Sequence, residues 1–329
     1  MPSTLFRHLS ALSQQLRQLP TALGGLALGI GGLGMCLDSA LQAQGRIETA
    51  TMLLSALLLL LLCGRFALHF DTLKTDLKHP VVGSVAPTFA MALMVVSHGI
   101  ALYLLTCGLL VWLAAIGVHV FFLVKFIRYR RRDFSLQHMV PSWFVPPVGI
   151  AVAAVTWSGE AGSWSHGIAW ACMAFALACY ALMMPLMFYR LIFRDTIPRG
   201  AQPTIAILAA PASLTLAAYL RVAITPQPLL VIVMLGLAIT MTLIVYAAFI
   251  HLLRLPFSPG YAALTFPMAI GATALYKVHA LFISWHLPTA MIEQIGWMAA
   301  LELAIASAVI SYVALRYALS FGQWIKSRV

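Results

Sequence analysis

Ten apolar runs follow one another along the chain, parted by short polar stretches. They lie at roughly 21–38, 48–70, 80–101, 105–126, 141–157, 164–189, 203–221, 228–253, 260–280 and 291–318. Each is long enough to cross a hydrocarbon core as a helix. An even number of crossings returns the chain to the side on which it began. A second pattern overlies the first. From the third run onward, each odd run opens near one proline and carries another inside. The pairs are Pro80 with Pro87, Pro141 with Pro146 (and its neighbour Pro147), Pro203 with Pro211, and Pro259 with Pro267. The opening proline is harmless, because a first-turn amide has no helical partner. The inner one removes a hydrogen bond and bends the helix. In lipid the carbonyl it frees must find another donor. Even runs lack the pair, although Pro185 falls near the end of the sixth. The repeat is therefore a hairpin of one kinked and one straighter helix, used five times. A bend placed in every second helix points to helices that line a common pathway.

The first run departs from this pattern. It has no interior proline but carries Gly24, Gly25, Gly29, Gly31, Gly32 and Gly34. Glycine also loosens a helix and lets a neighbour come close. Gly29 is the candidate kink here, and Gly25 with Gly29 forms a G-x-x-x-G pair. The expected fold is an all-α integral membrane protein. Its ten transmembrane helices form five hairpins, with five kinked inner helices around a pore and five outer helices.

Composition agrees. The 329 residues are 62% hydrophobic and 9% charged, with a mean hydropathy of +0.95. So few charges could not cover a water-facing surface. The net charge of +11 raises the question of nucleic acid. The cations sit in short loops between apolar runs, and no basic face with interleaved aromatics exists, so no nucleic-acid partner is expected. With the N-terminus inside, all but Arg46, Arg221 and Lys277 of the 20 Lys and Arg face the cytoplasm. This predicts a multi-pass protein of the cell inner membrane with both termini cytoplasmic. Residues 1–20 read as a cytoplasmic interfacial segment, with Leu5, Leu9, Leu12, Leu16 and Leu19 at helical spacing. Residues 21–318 form one membrane domain in the lipid bilayer, and 319–329 a cytoplasmic tail.

The five cysteines all lie in apolar runs without C-x-x-C and read as packing residues, not disulfides. The chain has no asparagine and so no N-glycosylation site. Residues 29–34 match G-x-G-x-x-G literally, but no strand precedes them and they lie inside a span. H-E-x-x-H, G-x-S-x-G and the P-loop are absent, so no enzyme, metal or cofactor is expected. His98, His119, His166, His251, His279 and His286 fall near span ends, where an interfacial role is the default.

The residues that bear on transport are few. Pro87, Pro146, Pro147, Pro211, Pro267 and Gly29 mark the bends of the pathway helices. Phe266 immediately precedes Pro267, where an aromatic ring can plug a narrow pore. Phe89 and Phe144 lie near other bends and are candidate pore-lining residues. Arg221 and Lys277 end the seventh and ninth runs, where they would raise anion concentration at an outer mouth or anchor the helix ends. A proton-coupled carrier needs an ionisable group on the pathway. The bent runs carry none inside; Asp38 ends the first and Glu302 lies in the tenth. Glu302 is a candidate proton site, with pairing to a polar neighbour as the other reading.

Short stretches along the whole chain resemble one family. They are Leu19-Pro20-Thr21, His79-Pro80-Val81, Pro141-Ser142-Trp143-Phe144-Val145-Pro146, Ala210-Pro211-Ala212-Ser213 with Ala218-Tyr219-Leu220, and Leu264-Thr265-Phe266-Pro267-Met268. The family is that of the bacterial tellurite-resistance protein TehA, yeast malate and sulfite transporters and plant slow anion channels. The resemblance implies five inner helices around a pore, five outer helices, a homotrimer with one pore per subunit, and passage of small inorganic or organic anions. By motif match, Phe266 falls on the aromatic that occludes the family's pore. The family often has a proline in the first span, where this chain has Ala27.

Two readings follow. The first is an anion channel occluded by Phe266. The second is a secondary carrier or efflux protein for C4-dicarboxylate, sulfite or tellurite, proton-coupled through Glu302 or Asp38. Hairpins that all enter the membrane the same way favour a pore over the inverted repeats of carriers. Proline-freed carbonyls attract cations, so anion selectivity would come from mouth charges, pore width and helix ends.

Overall fold

The computed structural model of the protein describes residues 13–132 and 134–326. Among these, nine helices are long and apolar enough to cross a membrane, and a tenth apolar segment is shorter. In chain order the elements are α1 (Leu23–Leu41), α2 (Arg46–Leu68), α3 (Phe70–Lys78), α4 (Val82–Ala101), α5 (Leu105–Arg132), α6 (Pro141–Val155), α7 (Trp164–Phe193), α8 (Arg199–Val222), α9 (Pro228–Leu252), α10 (Pro259–Ser284) and α11 (Thr289–Lys326). The short α6 is the tenth apolar segment. The described residues contain no β-strand.

Burial separates the helices into two layers. In the most apolar stretch of α1, α4, α8 and α10, 61–83% of residues are buried, against 28–33% in α2, α5, α7, α9 and α11. Every residue of α6 except Pro147 is buried. The inner helices close a ring: α1 packs on α4 and α10, α6 on α4 and α8, and α8 on α10. The Ser84 and Ser142 hydroxyls, 2.7 Å apart, join α4 to α6. Outer helices cover the ring from outside, as α2 does on α1 and α4, and α11 on α10 and α1. Their free faces carry leucine and isoleucine, such as Leu60, Leu182, Leu229 and Ile250, as a lipid-facing surface requires.

The prolines act as junctions more than as mid-helix bends. Pro87 sits at the N-cap of the second piece of α4, after the short turn Val82–Val85. Pro211 and Pro267 lie in the first turn of the α-helical halves of α8 and α10. Each of those halves is preceded by a 3₁₀ segment, Arg199–Ala209 and Pro259–Leu264. Pro146 and Pro147 lie in α6, which alternates between 3₁₀ and α pieces throughout. A first-turn proline loses no helical bond, so the expense anticipated from sequence is largely avoided. Gly29 marks no break at all: α1 runs unbroken from Leu23 to Leu41.

Irregular inner backbone still needs donors, and the outer helices provide them. Even the regular α1 receives one, Ser55 of α2 donating to the Ala27 carbonyl at 2.8 Å. Trp112 and His119 of α5 reach Ala153 and Pro146 of α6 at 2.9 and 2.8 Å. His166 of α7 reaches Val222 of α8 at 2.8 Å, and Tyr317 of α11 reaches Pro259 of α10 at 2.6 Å. His119 is therefore fully buried rather than interfacial.

Two features were not foreseen. The stretch after the second run folds as α3, a nine-residue helix whose Leu73 and Leu77 pack on Ala86, Ala90 and Phe122. The last helix continues to Lys326, well past residue 318. Pro20, before the first span, and Ser320, late in the last, come together at one face, where they line a shared cavity of about 180 Å³. This is called the terminal face below. Residues 13–17 are helical, and the ring of His69 donates to the Ser13 carbonyl at 2.8 Å. The expected leucine stripe at Leu5, Leu9 and Leu12, and the last three residues of the expected tail, lie outside the described residues.

Replacing His119 by Phe removes the donor to Pro146 and strands a buried carbonyl. Stability should fall by about 1–3 kcal/mol, seen as a lower thermal unfolding midpoint in detergent. The lipid-facing Val120→Leu should leave the midpoint unchanged.

Candidate functional site

A cavity of about 410 Å³ opens at the terminal face and runs into the centre of the helix ring. All five inner helices line it, through Leu28, Met91, Phe144, Val148, Leu214 and Phe266 among others. Beyond it, toward the opposite face, lies a second space of about 20 Å³, lined by Gly32, Met35, Val95, Val152, Phe266 and Thr273. That is room for about one water molecule. Phe266 belongs to both linings and is 8% exposed. The ring of Phe266 thus borders both spaces.

The position of Phe266 is built from the glycines of α1. A β-carbon on Gly32 would come within 3.4 Å of Phe266 Cδ2, so the bare backbone forms the wall against which the ring lies. One turn earlier, a β-carbon on Gly29 would collide with the Thr265 side chain. Thr265 is itself fixed, donating to Gly25 at 3.1 Å or Ala262 at 2.7 Å. Gly25, Gly29 and Gly32 thus form one face along which α10 approaches α1 closely, as the G-x-x-x-G spacing predicts.

The other aromatic candidates part company. Phe144 is 2% exposed and lines the large cavity, with its ring centroid 5.8 Å from that of Tyr180 of α7. Phe89 points away from the conduit. Its ring meets Phe66 of α2 at 5.4 Å, and it lines neither central space. After the break at Pro87, Thr88 still lines the large cavity and Phe89 turns outward.

The cations Arg221 and Lys277 lie toward the opposite face. Arg221 ends α8 and holds the Trp157 carbonyl through Nε and Nη2, at 3.0 and 2.7 Å, with the Trp157 ring 5.8 Å away. Lys277 does not end its helix, because α10 continues to Ser284. It is half-buried and, among the described residues, makes no hydrogen bond or ion pair, while lying within electrostatic reach of Arg221 and Cys36. Phe266, Thr273 and Lys277 recur at helical spacing and fall on one face of α10. The free ammonium therefore stands on the stripe that faces the conduit.

The two carboxylates lie off the conduit. Asp38 accepts the backbone amides of Gly45, Ile47 and Glu48 at 2.8, 3.0 and 3.4 Å and tethers the turn that opens α2. Glu302 is buried between α9, α10 and α11, with its Oε2 accepting from the Tyr246 hydroxyl. Neither lines the central spaces.

One cluster escaped the sequence reading. Arg65 of α2 is 5% exposed and borders the large cavity. Its Nη2 pairs with Asp76 of α3 at 2.6 Å and its Nη1 donates to Thr21 at 2.7 Å, while Thr21 also donates to Asp76 at 2.6 Å. A lone arginine inside an apolar run was the available signal, since such a charge demands a partner.

Gly29→Ala should force α1 and α10 apart, because the Thr265 side chain cannot retreat without losing its bonds. Overpacking of this kind costs about 1–3 kcal/mol, measurable as loss of thermal stability in detergent.

A sequence model of the family described as SLAC1, voltage-dependent anion channel, matches residues 18–322. An uncharacterized transporter of Methanocaldococcus jannaschii is 25% identical over 257 residues, covering 70% of this chain and 74% of the relative. A second uncharacterized transporter of that organism is 24% identical over 244 residues, covering 66% and 69%.

Proposed function

The chain belongs to the SLAC1, voltage-dependent anion channel, family, and from that premise we propose that it is an anion channel whose central conduit is occluded by Phe266. The carrying observation is the position of that ring, shared by a wide space on one side and a space of about 20 Å³ on the other. No hydrated anion fits through so small a gap, so passage requires the ring to move. The linings of both spaces are mostly apolar, which suits an ion that crosses with little binding. Positive charge at Lys277 and Arg221 raises the local anion concentration beyond the ring. By the positive-inside rule the terminal face is cytoplasmic, and these two cations stand at the outer mouth. The setting is the cell inner membrane, the permeant species are small inorganic or organic anions, and the assembly is a homotrimer with one conduit per subunit. A proton-coupled carrier of C4-dicarboxylate, sulfite or tellurite would need a carboxyl on the pathway. Asp38 and Glu302 lie off the conduit, and Asp76, the described carboxylate that lines it, is held by Arg65 near the terminal face; both facts weigh against it.

Phe266→Ala should open a large constitutive anion current in planar bilayers containing the purified protein. A conductance equal to that of the unaltered protein would remove the ring from the gating role. Lys277→Ala should lower anion conductance several-fold at low salt and little at molar salt, where the Debye length is about 3 Å. Recordings across a salt series distinguish this from a structural defect, which would persist at every concentration.

A further inference from the structure

On α5 an apolar surface turns basic position by position. The helix has 28 residues. That is about 42 Å at the α-helical rise, against about 30 Å of hydrocarbon, so its last turns stand among lipid headgroups. Phe121, Val124 and Ile127 are exposed on its outer surface. Each is followed four residues later by a cation, namely Lys125, Arg128 and Arg131. Side chains at that spacing lie one above the other. Arg132 extends the stripe of Phe121, Lys125 and Arg128, and Arg128, Arg131 and Arg132 are all exposed. The same corner carries Lys74 and Lys78 of α3, both exposed, while Leu73 and Leu77 pack that helix against Phe122 of α5. Arg130 donates to the Lys78 carbonyl and fixes the end of α5 beside α3 at the terminal face.

Topology control accounts for cations on this side of the membrane. It does not account for their lack of partners. Other arginines of the terminal face are engaged: Arg17 with Asp71 at 3.4 Å, Arg65 with Asp76 at 2.6 Å, and Arg190 with the Asp195 carbonyl at 2.8 Å. Among the described residues, Lys125, Arg128, Arg131 and Arg132 make no hydrogen bond or ion pair; Lys125 Nζ meets only the Phe121 ring, at 5.5 Å. A partner for them must be anionic. It must also cover the apolar residues one turn deeper in the bilayer. A soluble polyanion or an acidic protein meets the first condition alone, because Phe121, Val124 and Ile127 lie below the water. A phospholipid with a negatively charged headgroup meets both. We propose that this corner binds an anionic phospholipid, its phosphate among Lys125, Arg128 and Arg132 and an acyl chain along Phe121 and Val124. The site does not depend on how the conduit works.

The test places the full chain in phosphatidylcholine vesicles with a trace of nitroxide-labelled phosphatidylglycerol or nitroxide-labelled phosphatidylcholine. Electron paramagnetic resonance then measures the protein-bound fraction of each label. Phosphatidylglycerol should be preferred about fivefold or more at low salt, since each basic side chain at the surface attracts an anionic lipid to about that extent. The variant Arg128→Gln/Arg131→Gln/Arg132→Gln should lose most of this preference. The variant Arg194→Gln/Arg199→Gln/Arg254→Gln, which removes equal charge from the same face, should keep it. Equal loss in the two variants, as diffuse surface charge would give, overturns the proposal. So does equal binding of the two lipids, or displacement of the label by soluble glycerol phosphate, which would mark a site for free phosphate. Should the first variant fail to insert, phosphatidylglycerol with a diazirine near the head of its acyl chain decides on the unaltered protein. Adducts concentrated on residues 121–128 support the site, and adducts spread evenly over the outer helices overturn it.

Discussion

In a hydrocarbon medium no water stands ready to satisfy a stray carbonyl, and the rest of this architecture depends on that constraint. The inner ring is made of helices that are regular over only part of their length. The α8 and α10 segments begin as 3₁₀ turns, α4 is broken at Pro87, and α6 changes its winding three times within Pro141–Val155. Such backbone could not face lipid. The outer helices make it tolerable in two ways. They remove it from the bilayer, and they extend indole, imidazole and hydroxyl donors onto its carbonyls. Outer and inner layers are therefore not separable modules. The outer layer supplies hydrogen bonds that make an irregular inner wall possible.

The same division of labour sets the central constriction. A regular, glycine-faced α1 gives α10 a flat surface, and Thr265 anchors the chain to Gly25 one residue before the ring. Phe266 is thus placed by backbone shape rather than by an aromatic partner; no ring pairs with it among the described residues. A side chain held on one side by bare backbone has few interlocking neighbours to displace when it rotates. Phe144, by contrast, is braced by Tyr180 from the outer layer.

Much of this could be read from the order of residues alone. The spans came within a few positions because uninterrupted apolar runs leave little choice in lipid. The inner and outer sets followed from where proline recurs. What failed depended on directions and distances. Phe89 and Phe144 each lie two residues from a proline, yet one turns outward and the other inward, because the break at Pro87 resets the helix face. Lys277 was assigned to a helix end since the charge interrupts an apolar run, while α10 carries on to Ser284. His119 gave no sign of its role, since its partner is a main-chain carbonyl on another segment. The α3 helix was hidden by its mixed composition and by a length below that of a span.

The large cavity at the terminal face has an electrical consequence. In the channel proposed above, water and ions entering it would carry the potential of that side inward as far as Phe266. The membrane voltage would then fall mainly between Phe266 and the opposite surface rather than over the whole bilayer. Lys277 lies 11 residues along the same helix, or about 16 Å at the rise of an α-helix, against a hydrocarbon thickness of about 30 Å. A given voltage concentrated over roughly half the thickness exerts roughly twice the force on any charge found there. In that channel the broad entry and narrow waist would act as a lens for the transmembrane field, focused on the few residues that separate its two sides.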